Sequence, residues 1–132
     1  MSNRVPHILV INDEPLILAQ IDKWLTKAGY LVQTSETGAQ GAKLASQNVY
    51  DLIVLDFNLK RELDGVKTAF NFIPIFKKMN SNTPIIVTSA TQELISIPAL
   101  LQKGALKVIL ADRFFFKKLV IDVKHYLSAR QN

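Results

Sequence analysis

Two carboxylates at the ends of apolar runs carry most of the chemistry this chain offers. The run Tyr50-Asp51-Leu52-Ile53-Val54-Leu55-Asp56-Phe57-Asn58-Leu59 stays apolar up to Asp56, and an amide follows two residues later. A strand buried on both faces reads this way, so Asp56 is expected where that strand leaves a parallel sheet. The run His7-Ile8-Leu9-Val10-Ile11-Asn12-Asp13-Glu14-Pro15 ends on an acidic cluster of its own. In open α/β sheets ligands sit outside the carboxyl ends of the strands. Asp13 and Asp56 brought to one edge would repel each other unless a divalent cation neutralised them. Mg²⁺ fits, because it takes oxygen ligands and retains several waters, so two carboxylates and a backbone carbonyl suffice. Such an ion would draw in a phosphoryl group and offset charge during in-line transfer, with one carboxylate as nucleophile. Ser89, at the end of Ile85-Ile86-Val87-Thr88-Ser89, would supply a hydroxyl donor to a phosphoryl oxygen.

Those side chains need a frame, and the rest of the sequence supplies one. Strand patterns near residues 8–11, 31–34, 51–56, 84–88 and 107–110 alternate with segments of helical spacing. That alternation predicts a doubly wound α/β fold, a five-stranded parallel sheet with helices on both faces. The first helix places Leu18, Ile21, Leu25 and Ala28 on one face and stops at Gly29. The second follows Thr37-Gly38 as far as about residue 47, weakened by Gly41. The third recurs on Val66, Ala69, Phe70, Ile73 and Phe76 after Gly65, with Pro74 expected to kink it or to begin a second segment. A fourth spans about 93–102, interrupted by Pro98, and the last, about 116–128, buries Leu119, Val120, Val123 and Leu127. The elements use the whole of residues 1–132 as one domain, with no repeat or low-complexity linker. The cluster Phe114-Phe115-Phe116 reads as core and helix-entry packing, or else as a partner-binding patch.

Composition narrows the functional classes. With 48% hydrophobic residues the chain can bury a substantial core, and without cysteine it has neither disulfides nor thiolate metal sites. It opens without a signal-peptide pattern or a bilayer-spanning run, so a soluble cytoplasmic protein is expected. The net charge of +5 is uneven: residues 1–59 hold four of the 16 basic and six of the 11 acidic side chains. The basic second half could signal nucleic acid, yet its lysines are singles or pairs with no interleaved aromatic stripe, which reads as solvated surface. His7 and His125 lack metal-ligand spacing. No phosphate loop, dinucleotide fingerprint or nucleophile elbow occurs.

Taken together, these fragments resemble the receiver domains of two-component response regulators along nearly the whole chain. Residues Ile8 to Pro15 are similar to the family's acidic first-strand motif, and Asp51 to Asp56 to its phosphoacceptor strand. Asp64-Gly65 is similar to the turn before its third helix, Pro84 to Ala90 to its fourth strand with a switch hydroxyl, and Lys103-Gly104-Ala105 to the turn before its fifth strand. The resemblance implies a flavodoxin-like topology. It implies that Asp56 accepts a phosphoryl group from a histidine kinase or phosphotransfer protein, with Ser89 reporting the modified state. It further implies Mg²⁺ on Asp13, Asp56 and the main-chain carbonyl of Asn58, with Asn12 holding a metal-bound water. A stand-alone signalling module follows, not an enzyme, monomeric or weakly dimeric, acting on a downstream protein target without contacting nucleic acid or entering a membrane.

Departures from the family pattern leave alternatives open. Asn12 stands where a first acid is usual, the loop from Leu59 to Gly65 is one residue longer than the common form, and Lys60 replaces a frequent proline. In the fifth strand the family's lysine falls on Ala111, its proline on Asp112 and its aromatic switch on Val108. Arg113 or Lys60 is then the candidate replacement cation. A pseudo-receiver, keeping the fold as an interaction module without phosphoryl chemistry, is the competing reading. An aspartate-nucleophile phosphatase is disfavoured because Asn58 stands where a second acid is needed. Asp13 could alternatively cap the first helix, and Ser89 could be an ordinary strand-end hydroxyl.

Overall fold

The computed structural model describes residues 4–89 and 96–131. Among these residues seven strands and five helices follow one another as β1 (His7–Ile11), α1 (Pro15–Lys27), β2 (Leu31–Ser35), α2 (Gly38–Gln47), β3 (Leu52–Asp56), β4 (Asn58–Leu59), β5 (Lys67–Thr68), α3 (Ala69–Met79), β6 (Ile85–Ser89), α4 (Ile97–Lys103), β7 (Lys107–Leu110) and α5 (Phe115–Gln131). Five of the strands form a sheet in the order β2-β1-β3-β6-β7, every pair parallel. The short β4 and β5 make a separate antiparallel pair.

Strand alternation divides the core into two layers. Leu9, Ile11, Ile53, Leu55, Ile85 and Val87 point to one face, where Phe72, Ile73 and Phe76 of α3 and Leu100 of α4 cover them. Ile8, Val10, Leu52, Val54, Ile86 and Ile109 point to the other, beneath Leu18, Ile21 and Leu25 of α1 and Leu119, Val123 and Leu127 of α5. The central β3 is buried along its entire length, as a strand covered on both faces must be.

Helix boundaries follow local chemistry. Thr37 caps α2 by accepting the Gln40 amide at 3.0 Å, and Ser96 caps α4 through Ala99 at 3.2 Å. Gly29 and Gly104 end α1 and α4 at positive φ, +105° and +127°. Gly41 proves to be a packing requirement as well as a helix weakness: a Cβ there would lie 2.4 Å from Cδ1 of Ile11, so glycine lets α2 press onto β1.

Three sequence expectations require correction. The third helix begins at Ala69, not directly after Gly65, because Lys67 and Thr68 pair with Leu59 and Asn58, and Thr68 with Asn71 forms a capping box. Val66 is therefore exposed, and the buried aromatic of the first turn is Phe72, with Phe70 half-buried edge-on to Phe57. Pro74 starts no second segment; α3 runs through it as one helix, with no amide available for the Phe70 carbonyl. Pro98 lies in the first turn of α4, where its missing amide costs nothing, so it opens the helix instead of interrupting it; positions 93–95 of the expected helix lie outside the described residues. Of the three consecutive phenylalanines, Phe115 is core, Phe116 half-buried and Phe114 exposed.

Candidate functional site

Parallel strands in register deliver their ends together. Asn12 and Asp13 leave β1, Asp56 ends β3 opposite Thr88, Ser89 ends β6 opposite Leu110, and the Ala111 amide donates to the Ser89 carbonyl at 2.8 Å. All lie at the carboxyl edge of the sheet. Asp13 and Asp56 are each 6% exposed, and Ser89 only 2%. Asp56, Asn12, Ser89 and Ala111 border one cavity of about 180 Å³. Asn58 lies half-buried in β4, two residues past Asp56; the Phe57 carbonyl between them is engaged by the Ala69 amide at 2.8 Å.

The electrostatics of this edge are unbalanced. Burial, reinforced by the neighbouring charge of Asp13 and, further off, of Glu14, pushes the Asp56 carboxyl up to about 7, against the pull of the Phe57 amide. The two carboxyl groups lie within hydrogen-bond reach of each other. Asp13 does not cap α1. Glu14 holds the cap position without a side-chain hydrogen bond, and Oδ2 of Asp13 instead accepts the Lys60 amide at 2.9 Å. Asn12 Oδ1 accepts the Glu14 amide at 2.9 Å, which fixes the turn out of β1 and leaves one lone pair for a water.

This donor set suits a hard divalent cation. Two adjacent buried carboxylates with uncompensated charge are costly alone and favourable around Mg²⁺. No group of three or more carboxylate or imidazole side chains that could hold a metal occurs among the described residues, so such an ion would lean on two carboxylates and main-chain oxygen.

The two side chains expected to replace the absent lysine are elsewhere. Arg113 lies over the Phe114 ring at 4.8 Å, and Lys60 contributes its backbone amide to Asp13 while its side chain is exposed. Neither borders the cavity. Asp112 does, and sequence reasoning gave it no role. Its carboxylate accepts from Lys118 Nζ at 2.7 Å and from the Phe114 amide at 2.8 Å, and these bonds hold it below the usual carboxylate range. An Asp three residues ahead of a helix was the available signal.

Glu62 is the other residue that went unnoticed. It is 8% exposed, and its two carboxylate oxygens accept the Gly38 and Ala39 amides at 2.8 and 2.9 Å. The loop after β4 is thereby clamped to the N-terminus of α2, where the helix dipole favours an anion. No local pattern could reveal this, since the partners are 23 and 24 residues apart.

Comparison with known proteins agrees with this geometry. The model of the response regulator receiver domain matches residues 8–118. The transcriptional regulatory protein PrrA of Mycobacterium tuberculosis is 33% identical over 125 residues, which are 95% of this chain and 51% of the relative. The transcriptional regulatory protein GlrR of Escherichia coli is 31% identical over 104 residues, 79% of this chain and 22% of the relative. The chain thus spans about half or less of the curated relatives it matches. A CheY-like receiver domain structure from Methanospirillum hungatei superposes with a TM-score of 0.85 at 19% identity, covering 97% of this chain and 98% of the other. Such low identity speaks for the fold alone, but the matched domain model covers most of the chain and both carboxylates. The chain belongs to the response regulator receiver domain family.

Proposed function

We propose that this receiver domain takes a phosphoryl group on Asp56 from a histidine kinase or histidine phosphotransfer protein and passes the signal on through protein contacts. The observation that carries the reading is the buried Asp56 at the sheet's carboxyl edge, with Asp13 against it and a cavity opening on its carboxylate. In the transfer an Asp56 oxygen forms a bond to phosphorus as the donor's phosphorus–nitrogen bond breaks, leaving an acyl phosphate and a neutral donor imidazole once it takes up a proton. Asp13, Asp56 and the Asn58 carbonyl would hold Mg²⁺, with Asn12 bound through a water. The ion, when bound, offsets charge on the phosphoryl oxygens. The Ser89 hydroxyl donates to a phosphoryl oxygen. The domain is then a cytoplasmic signalling module and not an enzyme. Among the described residues no helix is long and apolar enough to cross a membrane.

A second reading, a receiver that works as an interaction module without phosphorylation, is favoured by Ala111, whose methyl group cannot contact a phosphoryl oxygen. One experiment separates the two. Incubation with Mg²⁺ and a small acyl-phosphate donor should add roughly 80 Da by intact mass, carrying charge close to −2 at neutral pH. The product should be base-labile and absent from Asp56→Asn. No mass gain in the wild-type protein refutes phosphoacceptance, and a gain retained in the variant moves the nucleophile elsewhere.

A further inference from the structure

The cavity beside Asp56 joins a buried carboxyl group to an apolar wall. Asn12, Asp56, Thr88, Ser89 and Asp112 supply its polar side, and Ile17, Ala111, Phe115 and Phe116 its apolar side. No lysine or arginine among the described residues lines it. Of the basic side chains near this edge, Arg113 lies over Phe114, Lys118 pairs with Asp112 of the cavity wall, and the exposed side chain of Lys60 does not border the cavity. A volume of about 180 Å³ corresponds to roughly six waters at about 30 Å³ each, enough for a short unbranched alkyl chain. A charge complement to Asp56 that also suits aromatic and methyl walls is a compact ammonium on a flexible hydrocarbon stem.

We propose that this cavity is a binding site for a primary alkylammonium group supplied from outside the chain, its methylenes against Ala111 and Phe116 and its ammonium on Asp56. The carboxylate has room for it, since two oxygens offer about four acceptor positions. Binding would place a positive charge next to the phosphoacceptor without any residue of this chain providing it. The proposal concerns the unmodified protein, so its outcome is independent of whether Asp56 accepts a phosphoryl group.

A reporter is built in. Phe116 stacks on Trp24, the single tryptophan of the chain, with centroids 6.0 Å apart and planes 11° from parallel. Titration of the wild-type protein with n-butylammonium chloride at constant ionic strength should give saturable changes in Trp24 emission and in the Ala111 amide resonance. A charge-assisted hydrogen bond is worth about 1.5–3 kcal/mol, so n-butanol should bind at least about tenfold more weakly. Asp56→Asn should reduce ammonium binding to the level of the alcohol, and Ala111→Leu, which fills the cavity, should abolish both. Thermal unfolding of each variant shows that it is folded. A capped lysine, Nα-acetyl-lysine methylamide, distinguishes the sources: binding equal to butylammonium supports a partner protein's lysine, and its exclusion supports a free amine. No saturable response to butylammonium, equal affinity for butanol, or unchanged ammonium affinity in Asp56→Asn would overturn the proposal.

Discussion

Replacing Asp56 by Asn should stabilise the domain, and by more as the pH rises. In the folded chain burial and Asp13 move the Asp56 carboxyl from 3.8 to about 7. At 1.36 kcal/mol per decade, holding it ionised at pH 8 costs about 4 kcal/mol, an upper figure that relaxation of the site lowers toward about 2. The sign follows from proton linkage. Between the unfolded and folded values the native state carries the extra proton, so raising the pH through that window removes stability. Asparagine keeps the shape without the charge, so Asp56→Asn should match wild type near pH 4 and gain about 2–4 kcal/mol by pH 8. At roughly 4 °C per kcal/mol for a domain of this size, the midpoint rises by about 8–16 °C. Differential scanning calorimetry from pH 4 to 8, without divalent ions, measures both proteins, and their difference isolates Asp56 and its coupling to Asp13. A midpoint difference that stays constant across this range would refute the argument, because it would mean that Asp56 titrates alike in the folded and unfolded chain.

Mg²⁺ should stabilise wild type at pH 8 far more than Asp13→Ala or Asp56→Asn, read as the shift in unfolding midpoint with added ion; equal shifts in all three would place the cation elsewhere. Phosphorylation by a small donor at subsaturating Mg²⁺ should accelerate between pH 6 and 8 as the Asp56 nucleophile ionises, and saturating Mg²⁺ should flatten the profile; single-turnover mass spectrometry follows both. Glu62→Ala strips the anion from two amides at the start of α2 and should cost about 2–3 kcal/mol in urea unfolding. Gly41→Ala should destabilise by about 1–2 kcal/mol, because the clash with Ile11 outweighs the roughly 1 kcal/mol gain in helix propensity.

Short-range pattern was enough for the frame of this protein. Apolar runs flanked by Gly, Pro and Thr set the five sheet strands to within a residue or two, and once those strands are parallel, Asp56 at the end of the most buried run has to emerge at the same edge as Asp13. Burial and strand direction both leave local patterns, which is why that part of the site is legible in the sequence alone. What depends on distant partners was not. The β4–β5 pair arises from two dipeptides too short to carry a periodic signal, and it delays α3 by several residues. Glu62 reads as an ordinary loop acid until folding places it under α2, and Gly41 reads as a weak helix residue until Ile11 arrives beneath it. Ala111 announces a missing side chain, but the shape it leaves depends on Phe115, Phe116 and Asp112 closing around it, and the occupation of Arg113 by Phe114 and of Lys118 by Asp112 is likewise a matter of three-dimensional reach. Spacing along a chain specifies which face a residue takes, whereas the volume and charge of a cavity are properties of all its walls at once, and only tertiary packing decides them.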